Sequence, residues 1–174
     1  MKILIRFSIL AAVFITALAY EAEAQVDATV TAEVTDFNFA TVIKINDVDF
    51  GQIATSSSPV IDPADPSAST DVLLGSIIVG EFRVEQGTET DLIVNYSTTA
   101  LEGPGTDIIY TPHLVGNVAD NQGSSTTLND GTSITTDPDG FYYLWLGGDL
   151  GTIPPAQDTG HYDAIFTLSI TFAN

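Results

Sequence analysis

Two segments near the ends of the chain alternate apolar and polar residues with a period of two. Residues 26–34 place small apolar side chains on one face, namely Val26, Ala28, Val30, Ala32 and Val34. Residues 162–172 do the same with larger side chains: Tyr162, Ala164, Phe166, Leu168, Ile170 and Phe172. Successive side chains of a β-strand point to opposite faces, so this period predicts two strands, each with one buried face. We expect the second set to form a terminal core strand that crosses a whole sheet.

The chain between these segments also has the pattern of a β protein. Short runs rich in Val, Ile, Thr, Phe and Tyr predict strands at 41–45, 48–53, 72–84, 91–97, 107–115, 126–135 and 141–146. Turn sequences such as Asn129-Asp130-Gly131 flank several of them. Residues 56–70 are rich in Ser and Pro and predict a loop with at most one short edge strand. The spacing favours an all-β fold, either a β-sandwich or a Greek-key barrel.

The first 24 residues have the features of a secretory signal peptide. Lys2 and Arg6 precede an apolar stretch over 7–20, and Ala22-Glu23-Ala24 forms a small-x-small cleavage pattern before Gln25. A membrane anchor is the alternative, but the apolar stretch is short for a bilayer span. We therefore expect cleavage, no membrane insertion afterwards, and a single secreted domain over 25–174. Its expected location is the periplasm, the outer-membrane surface or the extracellular space.

The net charge and the absence of cysteine exclude some classes of partner and one means of stabilisation. The chain has 23 acidic and four basic residues, a formal net charge of −19. Nucleic acids and anionic lipid surfaces both require clustered Lys and Arg, so neither is an expected partner. Without cysteine, disulfides cannot stabilise the secreted domain, and its hydrophobic core must do so alone.

Residues capable of chemistry are few. The two histidines, His113 and His161, lie near no nucleophile-elbow sequence, and abundant carboxylates give no specific sign of a glycosidase pair. We expect neither an enzyme nor a cofactor. Asp137 and Asp139, and the run 46–49, offer oxygen ligands for weak Ca²⁺ binding, but a turn and a strand start are the favoured explanations. The aromatic run 141–146 could stack on sugar rings, but we expect most of it in the core.

Several motifs in a fixed order resemble the secreted bacterial family known as domain of unknown function 4402, whose members are similar in layout to fimbrial subunits. Besides the leader 26–34, the matching motifs are Asp47-Val48-Asp49-Phe50-Gly51-Gln52-Ile53, Gly80-Glu81-Phe82-Arg83-Val84, Leu146-Gly147-Gly148-Asp149-Leu150, Pro154-Pro155-Ala156-Gln157 and Gly160-His161-Tyr162. The resemblance implies an antiparallel β-sandwich with Greek-key, immunoglobulin- or pilin-like topology. It implies no catalytic activity.

In fimbrial subunits, an N-terminal strand of one molecule completes the sheet of the next. The leader here resembles such a donor strand, with Val26, Ala28, Val30, Ala32 and Val34 as the candidates for strand exchange. The alternative is an ordinary strand that pairs within its own chain. The leading hypothesis is a surface structural or adhesive protein whose partners are copies of itself or other surface subunits. The second hypothesis is a carbohydrate- or calcium-binding module.

Overall fold

The structure is a computed structural model that describes residues 25–36 and 41–173. The predicted signal peptide lies outside the described residues. Within them the chain forms two short 3-10 turns, Pro66–Ala68 and Gln122–Ser124, and twelve strands. The strands are β1 (Gln25–Asp36), β2 (Thr41–Asn46), β3 (Val48–Ala54), β4 (Val60–Ile61), β5 (Val72–Leu74), β6 (Gly80–Glu85), β7 (Asp91–Thr98), β8 (Thr111–Asn117), β9 (Thr126–Leu128), β10 (Thr132–Thr135), β11 (Phe141–Asp149) and β12 (Gly160–Phe172).

The strands form two sheets that pack face to face. The first sheet has the order β10-β7-β12-β1-β3-β5, and the second has the order β2-β6-β11-β8-β9, with β4 paired to the end of β11. The prediction of an all-β chain folded as a β-sandwich is confirmed. Among the described strands, each pairing is antiparallel except that of β1 with β12, which is parallel.

Three of the predicted strands are not single continuous strands in the structure. Residues 72–84 form two strands, β5 and β6, which lie in different sheets and are separated by a segment that begins at Gly75 with φ of 112°. That conformation favours glycine and interrupts a continuous strand. Residues 107–115 do not form one strand either, because β8 begins at Thr111 and Ile108 makes only an isolated bridge with Leu101.

The third difference concerns residues 126–135. The turn Asn129-Asp130-Gly131 divides them into β9 and β10, which belong to opposite sheets. Gly131 has φ of 78°, and Asp130 accepts a hydrogen bond from the backbone N of Tyr96 through Oδ1 at 2.8 Å. The turn therefore carries the chain from one sheet to the other instead of closing a hairpin within one.

The core lies between the sheets and is built from alternate residues of each strand. On β12 the buried side chains are Tyr162, Ala164, Phe166, Leu168 and Ile170, none more than 2% exposed. Phe172 shares their alternation but is 38% exposed, so the prediction that it belongs to the core is wrong. It is the last residue of the strand and pairs with Leu92 near the start of β7, at the limit of the sheet. The alternation of apolar and polar residues extends to the end of β12, but the burial of its apolar side chains ends before Phe172.

The segment 56–70, which we call the strap, pairs through β4 with the end of β11 and passes over the outward side of Gly147. It contains β4 and is closed by two backbone hydrogen bonds between Val60 and Thr70. A Cβ placed on Gly147, on the outward side of β11, would meet the Ile61 carbonyl oxygen and lie 3.0 Å from Pro63 Cδ. Gln122 donates a hydrogen bond to the Pro63 carbonyl at 2.7 Å. The strap is therefore held against the sheet at both places.

Candidate functional site

Strand β1 occupies a central position in the first sheet. It pairs along 26–36 with β12, and on its other side along 25–30 with β3. Val26, Ala28 and Val30 are fully buried and Ala32 is 3% exposed, whereas Val34 is half-buried against the same core. The candidate exchange residues thus lie on one face, in a groove that β12 and β3 form with the opposite sheet.

The second half of β1 is paired differently from the first half. The ladder with β3 has a bulge between Asp27 and Thr29 and ends at the pair of Val30 with Val48. Beyond it, the backbone N of Ala32 donates to Asp47 Oδ1 at 2.8 Å, and the same carboxylate lies 3.0 Å from Lys44 Nζ. The Asp47 carboxylate therefore accepts the backbone N–H of Ala32, which lies beyond the last residue pair of the β1–β3 ladder.

The connection of β1 to the rest of the domain is short. β1 ends at Asp36 in the first sheet, and β2 begins at Thr41 at the edge of the second sheet. Only residues 37–40 join the two. Within the single chain of the structure, β1 pairs with β12 on one side and with β3 on the other.

The candidate calcium ligands lie in a tight turn. Asp137 Oδ1 accepts from the backbone N of Phe141 at 2.7 Å, and the Asp137 carbonyl accepts from the N of Gly140 at 2.9 Å. Asp139 is exposed in the same turn. In the second candidate run, Asp49 Oδ1 accepts from the N of Gly51 at 2.7 Å. Across residues 25–36 and 41–173, no group of three His, Asp or Glu residues is arranged to hold a metal ion.

The two histidines lie apart in the fold. His113 is exposed on β8. On β12, His161 Nδ1 is 3.4 Å from Asp27 Oδ2 of β1, and both side chains are more than half exposed. An ion pair in that position contributes little to stability because solvent screens it.

The aromatic run on β11 divides between the two faces of the sheet. Tyr142, Leu144 and Leu146 point into the core, and none is more than 6% exposed. Phe141, Tyr143 and Trp145 point outward and form what we call the aromatic strip. The rings of Tyr143 and Trp145 are nearly parallel, with centroids 6.3 Å apart. Arg83 lies 5.9 Å over the ring of Phe141 and forms an ion pair with Glu85.

Trp145 shows that burial alone does not identify the core. It is only 4% exposed, yet it lies outside the cluster of residues between the sheets. Its cross-strand partner Val115 is 6% exposed and also lies outside that cluster. Both point to the face that the strap crosses, so they form a smaller apolar layer on the outer side of the sheet. Only Phe141 and Tyr143 of the strip remain partly exposed.

A cavity that no sequence motif indicates lies between the strap, β8, β9 and β7. Its volume is about 550 Å³, and its lining includes Asp62, Tyr96, His113, Thr127 and Asn129. These residues come from separate parts of the chain, and only the folded domain brings them together.

The fold and these sites define a β-sandwich domain in which β1, the first described strand, lies inside one sheet between β12 and β3. No known protein family matches the chain, and no curated protein matches it. Within the described ranges, no helix has the length and apolar character needed to cross a bilayer.

Proposed function

We propose that this is a secreted structural or adhesive protein of the cell surface, a fimbria-like subunit that assembles by exchanging β1 between copies. The proposal is supported by one observation above all: a segment at the N-terminal end of the described chain fills a central place in a sheet and is joined to the rest through only four residues. A short connection of this kind favours exchange of identical elements between copies.

The register of β1 explains why exchange would cost little free energy. Its ladder with β12 runs without interruption from the pair Val26–Gly160 to the pair Asp36–Ile170. The β1 of a second copy would make the same hydrogen bonds and fill the same groove with the same small side chains. Burial is therefore equal in the closed and exchanged forms, and the balance between them depends on protein concentration.

Engineered cysteines distinguish the two forms, since the natural chain has none. Thr31 of β1 and Ile165 of β12 are register partners, and both are exposed. In a closed monomer the double variant T31C/I165C forms an intramolecular disulfide. In an exchanged assembly the same pair joins two copies, and a denaturing gel without reductant shows a ladder of covalent multimers.

A matched control uses strands that are not exchanged. Ser97 of β7 and Thr167 of β12 are register partners in the same sheet, so S97C/T167C stays monomeric on the gel in either form. The expected result is a ladder from T31C/I165C alone, after refolding at high protein concentration. Covalent monomer from both variants, including from fractions that elute as oligomers, would refute strand exchange.

A further inference from the structure

The cavity between the strap and strands β7, β8 and β9 has the size and lining of a small-molecule site. Ligand pockets of proteins usually measure about 300–1,000 Å³ and combine apolar walls with a few polar groups. This cavity, at about 550 Å³, lies within that range and could hold one or two sugar rings. We propose that it binds a neutral saccharide.

The apolar part of the cavity suits the C–H face of a sugar ring. Its walls include Pro63 of the strap, Pro112 of β8 and the ring of Tyr96. The hydroxyl of Tyr96 donates to the Leu128 carbonyl at 3.3 Å, which fixes the position of the ring. Burial raises the pKa of Tyr96, so the hydroxyl remains neutral at physiological pH.

Polar groups surround this apolar surface from different strands. Asp62 accepts hydrogen bonds through Oδ1 from the backbone N of Ala64 at 2.8 Å and of Asp65 at 3.1 Å. These bonds engage Oδ1 and orient the carboxylate of a residue that lines the cavity. His113 and Thr127 line the cavity beside it. A carboxylate, an imidazole and a hydroxyl together can satisfy the paired donors and acceptors of vicinal sugar hydroxyls.

Charge determines which saccharides the cavity accepts. The chain carries a net charge of −19, and the carboxylate of Asp62 lies in the lining itself. A uronic acid or a sulfated sugar would bring a second negative charge next to Asp62 and be repelled. Neutral sugars form the same hydrogen bonds without that penalty, so the ligand class is neutral.

The cavity is formed before any ligand binds. The hydrogen bond from Gln122 to the Pro63 carbonyl joins the strap to the turn after β8. The backbone N of Asp62 also donates to Ser69 Oγ at 3.2 Å, within the strap. Because the walls are already connected, binding orders few groups, and this lowers its entropic cost.

The chain has two histidines, and this makes a direct NMR test possible. Purified mature protein, labelled with ¹⁵N, is titrated with methyl glycosides of neutral hexoses and with the corresponding uronic acids. We expect the imidazole signals of His113 to shift with at least one neutral glycoside, whereas those of His161 stay in place. The uronic acids should bind at least about tenfold more weakly.

Two variants test the roles of the polar groups. Asp62→Asn keeps an oxygen for the backbone bonds within the strap and removes the charge, and His113→Ala removes the imidazole. Each is expected to weaken binding at least about tenfold, because each leaves sugar hydroxyls without a partner. His161→Ala is the matched control and should bind as the natural protein does.

Three results would overturn the proposal. They are the absence of a His113 shift with every neutral glycoside, equal binding of uronic acids, and loss of binding in Tyr143→Ala but not in His113→Ala. The last result would place the sugar on the aromatic strip instead. The cavity includes no residue of β1, so these outcomes are independent of the disulfide ladder that tests strand exchange.

Discussion

Replacing Phe166 by alanine tests the assignment of faces on β12. The ring is fully buried, with its centroid 5.5 Å from that of Tyr96 and 6.5 Å from that of Phe82. Such a truncation in a core typically costs about 3–5 kcal/mol, from lost burial and from the cavity left behind. Since a domain has only about 5–15 kcal/mol of stability, we expect Phe166→Ala to lose a large fraction of it.

Urea unfolding measures this loss. The single tryptophan, Trp145, is 4% exposed in the folded domain, so its fluorescence reports unfolding. With a urea dependence of about 2 kcal/mol per molar, a loss of about 4 kcal/mol lowers the midpoint by about 2 M.

Phe172→Ala is the matched control, because it makes the same substitution on the same strand at a position that is 38% exposed. We expect it to cost less than about 1 kcal/mol. Equal losses from the two variants would refute the assignment, and so would a loss below about 1 kcal/mol from Phe166→Ala.

Three further predictions follow from the packing. Deleting residues 25–35 empties the groove between β12 and β3, so we expect the protein to aggregate and a peptide of the deleted sequence to reverse the aggregation. Size-exclusion chromatography measures both effects, and a monomer with unchanged melting temperature would contradict the prediction. A Cβ on Gly116 would lie 2.5 Å from Tyr142 Cε1, so Gly116→Ala should cost about 1–3 kcal/mol in urea unfolding, whereas Gly123→Ala, with its nearest atom at 3.9 Å, should cost almost nothing. Burial raises the pKa of Tyr110 far above its ordinary value of 10.0, so above pH 10.0 the folded state keeps a proton that the unfolded state releases. The free energy of unfolding should therefore be unaffected below pH 10.0 and fall above it, and the fall should be smaller in Tyr110→Phe.

The sequence predicted the fold best where a strand has one buried face and one exposed face. In β1 and β12 the alternation identified most of the buried residues, because the period of a strand coincides with its burial. The alternation was less informative for residues 72–84. Two apolar strands follow each other there, and the pattern of neighbouring residues does not indicate that the chain passes from one sheet to the other. For 141–146 both faces are apolar, since the strap covers part of the outer one, and periodicity cannot separate the core from that outer layer.

The cavity could not be predicted for a different reason. Its lining comes from three separate stretches of the sequence: the strap, Tyr96 of β7, and the region of β8 and β9. None of these segments carries a motif of its own. What brings them together is the crossing of the strap over the second sheet and the passage of the chain from β9 to β10 between sheets. Both are long-range features that depend on the completed sandwich.

The two proposals together predict a property that neither has alone. Exchange of β1 leaves the cavity intact in each copy, because the strap, β7, β8 and β9 stay within one chain. An assembly would therefore present one saccharide site per copy, and linked sites can raise the effective affinity by about 10²–10⁴ over a single site. Weak binding by each cavity would then suffice for firm attachment to a glycan-coated surface.

We expect assembled protein to be retained on such a surface at concentrations where monomer washes off, and His113→Ala assemblies to wash off as well. Equal retention of monomer and assembly, measured at the same concentration of sites, would show that assembly contributes nothing to attachment.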